Sequence, residues 1–155
     1  MRILFFAVLV ACAGADPKQD DPSSDVSVVS NETSACISGH PAAEPFDVGD
    51  ADMSGGGVPP SLDSFQAECR SAGGMGCDQP LISKEAARCI AQNERLAPGL
   101  EAWNIGLAYA NSYHRVVWSV ENLLRNVSAD DYSGQSLTLD AVSGRVLGLT
   151  NWNAN

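Results

Sequence analysis

The sequence predicts an α+β fold in which one main helix packs on a four-stranded antiparallel meander, preceded by a disordered tether. Two observations support this prediction. Apolar residues recur at helical spacing between residues 84 and 95, and beyond Pro98 the apolar period changes to two. A helix followed by consecutive alternating segments is typical of a helix packed on an antiparallel sheet. The predicted domain spans residues 61–155.

The main helix is predicted over residues 84–95. Ser83 precedes it as a capping residue, and Glu85 lies in the first turn, where the helix dipole favours an anion. Pro98-Gly99 ends the helical pattern. The apolar stripe consists of Ala86, Ala87, Ile90 and Ala91. A weaker helical pattern over Ser61–Ala72 is formed by Leu62, Phe65 and Cys69.

Two alternating segments after the helix predict the first pair of strands. The first segment runs from Trp103 to Tyr109, and a turn at Asn111–His114 leads into the second. The apolar face of the second strand consists of Val116, Trp118 and Val120. We therefore expect Trp118 to lie in the core.

The last two strands follow a predicted polar loop over Arg125–Gly134. The third strand begins near Leu137, where apolar and polar residues alternate again. Asp140–Gly144 has the composition of a hairpin turn, in which we expect the aspartate to hydrogen-bond within its own turn. The fourth strand is predicted over residues 145–152.

The beginning of the chain has the pattern of an export signal. Met1-Arg2 supplies a positive charge, Ile3–Val10 is uniformly apolar, and small residues follow. Leu9-Val10-Ala11-Cys12 resembles the bacterial lipobox, in which the cysteine carries the lipid and becomes the first mature residue. The resemblance implies a signal peptide over residues 1–11 and a membrane partner reached through lipid on Cys12. An ordinary signal peptide, with Cys12 incidental, is the alternative.

The resemblance to a lipobox also implies a location in the cell. Two or more acyl chains give stable anchoring in a membrane, whereas this apolar run is too short for a membrane-spanning helix. In the sorting pattern of bacteria with two membranes, an aspartate after the cysteine retains the protein in the inner membrane. Ala13 stands at that position, so we expect a cell-envelope lipoprotein in the outer membrane.

Charge and composition limit the possible partners. The chain has 9 Lys+Arg against 19 Asp+Glu, a formal net charge of −10, which argues against nucleic acid and anionic lipid headgroups. Residues 12–60 are rich in acidic, proline and glycine residues, so they are predicted to form a flexible acidic linker. Asp47, Asp50 and Asp52 do not match the spacing of a helix-flanked calcium loop, so we interpret them as solvated linker residues.

Apart from Cys12, the cysteines are Cys36, Cys69, Cys77 and Cys89, an even number that predicts two disulfides in an exported protein. Four cysteines allow three connectivities, and the sequence does not choose among them. The pairing we favour is Cys77–Cys89 with Cys36–Cys69. A zinc site that includes His40 is the alternative, but no two cysteines lie two to four residues apart. No metal or other cofactor is expected.

Three segments together resemble the PepSY domain, a small module of peptidase propeptides and bacterial envelope proteins. They are the capped helix start Ile82–Ala86, the strand Val116–Val120 and the hairpin Leu137–Leu147, which contains an Asp-Ala-x-Ser-Gly-x-Val pattern. The resemblance covers about residues 81–150, and the cysteines and the 125–134 insertion depart from the family pattern. It implies a module that binds or restrains a peptidase, with no shared catalytic residue to carry over.

We expect a non-catalytic protein, because no motif brings reactive groups together. His40 lies in the predicted linker and His114 in a predicted turn, so both are interpreted as surface residues. Trp152, near the end of the last strand, is the weak candidate for a binding residue and the tryptophan most expected to be exposed. The expected partner is a peptidase or another envelope protein. The alternative function is an envelope structural or assembly protein.

Overall fold

Four antiparallel strands lie side by side in sequence order. The structure is a computed structural model, which describes residues 30–50, 61–128 and 131–154. The predicted α+β meander is thereby confirmed. The strands are β1 (Asn104–Ala110), β2 (Arg115–Ser128), β3 (Asp131–Asp140) and β4 (Val146–Ala154). The helices in the described ranges are α1 (Asn31–Gly39), α2 (Leu62–Ser71) and α3 (Lys84–Asn93). Cys12, the predicted signal peptide and residues 13–29 and 51–60 of the predicted linker, which include Asp52, lie outside these ranges.

Helix α3 is the predicted main helix and begins at its predicted cap. The Ser83 hydroxyl accepts a hydrogen bond from the Ala86 backbone N–H at 3.0 Å, which satisfies one of the helix's unpaired donors. The helix ends at Asn93, and Arg95 adopts a positive φ of 60° that turns the chain away. All four residues of the predicted apolar stripe are buried.

Trp118 lies fully buried at the centre of the sheet, as predicted. It is opposite Leu107 of β1 and Leu139 of β3, so three apolar residues cross the sheet in one row. The indole Nε1 donates a hydrogen bond to the Ile82 backbone oxygen at 3.0 Å. This bond joins the start of α3 to the central strand, because Ile82 immediately precedes the helix cap.

The prediction of a flexible linker is wrong for residues 30–50. Ser30 caps α1, which packs on α3 with Thr33 and Cys36 buried. Further along, the Phe46 ring stacks on Trp118 with the ring centroids 6.2 Å apart. Composition suggested a tether because this segment is polar overall, but a few apolar side chains and one disulfide hold it on the domain.

The end of this segment also extends the sheet. The Asp50 backbone N–H donates to the Ile105 oxygen at 2.8 Å, and the Leu107 N–H donates to the Val48 oxygen at 3.0 Å. Gly49 forms a bridge with Gly106 at a φ of +81°, and a side chain there would overlap the Ile105 backbone. Residues 48–50 therefore cover the outer edge of β1.

The predicted polar loop over Arg125–Gly134 is also wrong. Strand β2 continues to Ser128 and β3 begins at Asp131, so most of the loop is a hairpin extension. The register shifts between Leu123 and Arg125 and again between Asn126 and Ser128. These irregularities break the alternation of apolar and polar residues, which is the signal from which a strand is predicted.

The cysteines form two disulfides, but the favoured pairing is wrong. Cys36 pairs with Cys89, joining α1 to α3, and Cys69 pairs with Cys77 at the end of α2. The favoured pairing treated Cys36 as part of a tether, whereas α1 lies against α3. In the chain-entropy model, the 53-residue separation contributes about 4 kcal/mol and the 8-residue separation about 2.5 kcal/mol.

Replacing Trp118 with alanine tests the register of the core. We expect Trp118→Ala to lower the free energy of unfolding by about 3–5 kcal/mol, because it leaves a large cavity at the centre of the sheet. That loss is a large part of the about 5–15 kcal/mol that holds a small domain. Leu100→Ala is the control, since Leu100 is 61% exposed. Equal thermal melting of the two variants would contradict the register.

Candidate binding surface

The helices pack against one face of the sheet, and the opposite face presents a different set of side chains. Because side chains alternate along a strand, the neighbours of Trp118, Leu107 and Leu139 point away from the helices. We call this second side the open face. Its central residues are Gly106, Ala108, Ser119, Glu121, Gly134, Ser136, Thr138, Thr150 and Trp152.

Two serines and one glutamate form a polar cluster at the centre of the open face. The Glu121 carboxylate accepts hydrogen bonds from Ser119 Oγ at 3.2 Å and from Ser136 Oγ at 3.4 Å. The two hydroxyl oxygens are themselves 3.2 Å apart. The serines therefore hold the carboxylate in place on the strands, where it can accept a hydrogen bond from a bound partner.

Beside this cluster is a shallow cleft of about 280 Å³ between the sheet and the chain that covers β1. Asp50 and Glu121 contribute carboxylates to its lining, together with the Asn104 side chain. Asp50 accepts a bond from the Ile105 N–H at 3.4 Å and lies 3.5 Å from the Lys84 ammonium group. Two carboxylates and one nearby ammonium group leave the cleft net acidic and suited to polar donors.

Trp152 lies on the open face at β4, half-buried and therefore less exposed than predicted. Its ring covers Gly134, where a Cβ atom would come within 2.4 Å of the indole. Tyr132 meets the indole edge-on, with the ring centroids 5.9 Å apart. The indole Nε1 is buried without a hydrogen-bond partner. Packing across the strands thus fixes the tryptophan, and Tyr132, 38% exposed, offers the accessible aromatic surface.

Asp140 is buried in the β3–β4 turn, where hydrogen bonds and an arginine stabilise its carboxylate. One carboxylate oxygen accepts bonds from the Val142 and Ser143 backbone N–H groups, each at 2.9 Å, as predicted for a turn aspartate. The other accepts from Arg115 Nη1. Burial raises the pKa of Asp140, but the bonds from Ser143, Arg115 and Val142 and the arginine charge lower it more. The pKa therefore lies below its usual value of 3.8.

The two histidines are exposed and lie on different elements. His40 follows α1, and its backbone oxygen accepts a bond from Ser83 Oγ at 2.7 Å. His114 lies in the β1–β2 turn with a φ of 51°. The four cysteines around the helices are joined in disulfides, so they do not supply thiolates for the alternative zinc site with His40. Within the described ranges, no three His, Cys, Asp or Glu residues are grouped to hold a metal.

The period of two predicts the buried face of β2 and, by the same rule, the residues that point to the opposite face. The same alternation that places Trp118 and Val120 in the core places Ser119 and Glu121 on the open face. The alternation was therefore sufficient to find these two residues. Ser136 does not follow from the same pattern, because it lies between the predicted loop, which ends at Gly134, and the predicted start of the third strand at Leu137.

Comparisons with known proteins assign no family to this fold and surface. No protein-family model, curated protein or solved structure matches the chain. The resemblance to PepSY domains therefore stays a prediction based on the three segments quoted above. The function has to be argued from the residues themselves.

Replacing Asp140 with asparagine tests the buried ion pair. We expect Asp140→Asn to lower stability at neutral pH by about 2 kcal/mol, because a charged hydrogen-bond acceptor is lost beside Arg115. A lowered pKa in the folded state stabilises the fold above the unfolded pKa of about 3.9, and this contribution is lost as the pH falls through the folded pKa. The difference between wild type and variant should therefore shrink below about pH 4.

The control for this measurement is a second arginine–aspartate pair. Asp78→Asn removes the partner of Arg70, but the two side chains are 50% and 70% exposed, so the expected loss is close to zero. Urea unfolding between neutral and acidic pH gives both comparisons. A stability difference at Asp140 that is unchanged from neutral pH into the acid range would contradict the lowered pKa.

Proposed function

We propose that this chain is a lipid-anchored protein of the bacterial cell envelope, and that its α+β domain acts by binding another protein rather than by catalysis. In this proposal the domain is PepSY-like, and its partner is a peptidase or another envelope protein. The outer membrane is the proposed site of anchoring. The proposal rests on the lipobox-like segment at Cys12 and on the surface of the folded domain.

The relation between Cys12 and the folded domain supports an anchor. The described domain begins at Ser30, so the 17 residues from 13 to 29 separate the cysteine from the fold. A chain of that length spans at most about 60 Å. None of the helices in the described ranges is long and apolar enough to span a membrane. A lipid on Cys12 would thus hold the domain near the membrane surface.

The disulfides and the charge are consistent with this location. Two disulfides brace the domain, and such bonds persist in oxidising compartments such as the bacterial periplasm and the cell surface. The net charge of −10 opposes direct contact with anionic headgroups. Attachment through the lipid alone would leave the acidic domain free to meet a protein partner.

The open face is the single observation that favours a binding function. It combines the Glu121 carboxylate, held by two serines, with the Tyr132–Trp152 pair on a rigid sheet. Tyrosine and tryptophan are enriched in protein interfaces because they bury a large apolar area and retain a polar group. A fixed acceptor beside an aromatic pair is suited to recognising a protein surface with donors and apolar side chains.

Acylation of Cys12 is the first prediction from this proposal. Mass spectrometry of the protein extracted from membranes should show the mature chain beginning at Cys12 with added acyl mass. Cys12→Ser should leave the folded domain unchanged but abolish its extraction with the membrane fraction, since the lipid is the proposed anchor. An unmodified mature chain that begins at Ala15 or Asp16 would overturn this part of the proposal.

The open face is tested by crosslinking the lipidated protein in its native envelope. We expect Tyr132→Ala to reduce the yield of the crosslinked partner at least several-fold, since exposed aromatic residues contribute strongly to binding. Met75→Ala is the control, because Met75 is 57% exposed in the loop before α3. Peptidases among the crosslinked proteins would favour the binding function, and stoichiometric envelope components would favour the structural alternative. Equal yields from both variants would show that the open face is not the binding surface.

A further inference from the structure

One edge of the sheet is covered by another segment of the chain, whereas the other edge is uncovered in the described ranges. Residues 48–50 hydrogen-bond along the outer edge of β1 and cover it. At the other edge, β4 pairs with β3, and no second strand in the described ranges lies along its outer side. An uncovered edge presents unpaired backbone N–H and C=O groups, which form a template for another strand.

Strand β4 also lacks the usual protection of an exposed edge. Natural proteins protect such strands with charges, prolines, short length or bulges. The nine residues of β4, VLGLTNWNA, contain neither a charge nor a proline. The register irregularity opposite Thr138 and Leu139 lies at the beginning of the strand and leaves the rest regular. Tyr113 Oη donates a hydrogen bond to the Leu147 backbone oxygen at 3.2 Å, so the strand is available for pairing chiefly from Gly148 onward.

A row of apolar side chains crosses the sheet and ends at this edge. Ile105 is opposite Val120, Val120 is opposite Leu137, and Leu137 is opposite Leu149. The first three are at most 2% exposed, whereas Leu149 is 54% exposed. The row thus reaches the open edge with its last member uncovered, in the middle of β4.

We infer that the outer edge of β4 pairs antiparallel with β4 of a second copy of this chain, about a twofold axis at Leu149. In this register, Leu149 lies opposite its own counterpart, and Thr150 lies opposite Gly148 of the second copy. The two apolar rows then join into one continuous row across eight strands. A twofold axis makes the contact self-complementary, and it closes after two copies.

The absence of charge on β4 and confinement to a membrane both favour a second copy as the occupant. Two chains with a net charge of −10 repel each other in general, but no charged side chain of β4 enters this contact. A single strand pair is small compared with the about 1,600 Å² of a standard interface. This inference rests on the proposed lipid anchor, because confinement to a membrane raises the effective concentration of the two copies.

Opposite charges at position 149 provide the test. Two forms of the full chain, with different epitope tags inserted between Ala15 and Asp16, are produced together, crosslinked in the intact membrane and then extracted in mild detergent. Wild-type copies should purify together. When both copies carry Leu149→Lys, or both carry Leu149→Glu, the recovered pairs should fall at least about tenfold, because like charges then lie opposite each other. One Leu149→Lys copy with one Leu149→Glu copy should restore pairing.

Leu100→Lys in both copies is the matched control, since Leu100 is an equally large residue that is 61% exposed outside β4. It should leave pairing unchanged, and thermal melts should show that all variants fold. Lys–Lys copies that pair as wild type does, or a Lys–Glu mixture that fails to pair, would overturn the inference. A different protein recovered in place of the second copy would overturn it too.

Acyl mass at Cys12 is measured in the same extracts to separate the two proposals. Acylated chains that do not pair would overturn the β4 contact and leave the anchor intact. Chains that pair without acylation would overturn the anchor and retain the contact.

Discussion

The hydrogen bond from Trp118 to Ile82 joins the helical layer to the centre of the sheet, and the rest of the domain is arranged around it. Trp118 is the largest fully buried side chain in the described ranges, and it has one polar atom that needs a partner. Ile82 supplies that partner from the residue before the α3 cap. The bond therefore sets where α3 begins relative to the strands, while the indole ring gives Phe46 a surface to stack on. One side chain thereby organises both the predicted core and the segment mistaken for a tether.

The parts of the fold that the sequence predicted correctly depend on local patterns. Helix α3 has a cap, an apolar stripe and a proline stop within a short segment, and the strands around Trp118 alternate regularly. The errors arise where contacts between distant residues decide the structure. Helix α1 has little apolar character of its own and is held by α3 and by the Cys36–Cys89 disulfide. The composition of a short segment contains no information about such a partner.

The same distinction applies to the candidate site. The polar residues of β2 on the open face follow from the alternation that predicted the core, so they can be identified from the sequence alone. The Trp152–Gly134 contact was not, because it requires the register between β3 and β4 and the extension of β3 beyond its predicted start. A tryptophan near the end of a strand is expected to be exposed unless the neighbouring strand provides a glycine to receive its ring.

The distribution of charge connects the two proposed interactions of the domain. Arginines pair with Asp131 and Asp140, so both carboxylates of β3, the strand beside β4, have a cationic partner. Asp50, which pairs with Lys84, and Glu121 lie beside the cleft at the β1 side. A net-acidic protein avoids most non-specific association, and an uncharged edge is then the place where contact between copies meets the least repulsion. The acidic cleft is suited to a different kind of partner, one that supplies hydrogen-bond donors. The β4 edge and the cleft lie at opposite edges of the sheet, because the cleft is beside β1. Pairing of two copies through β4 would therefore leave both clefts open to other proteins.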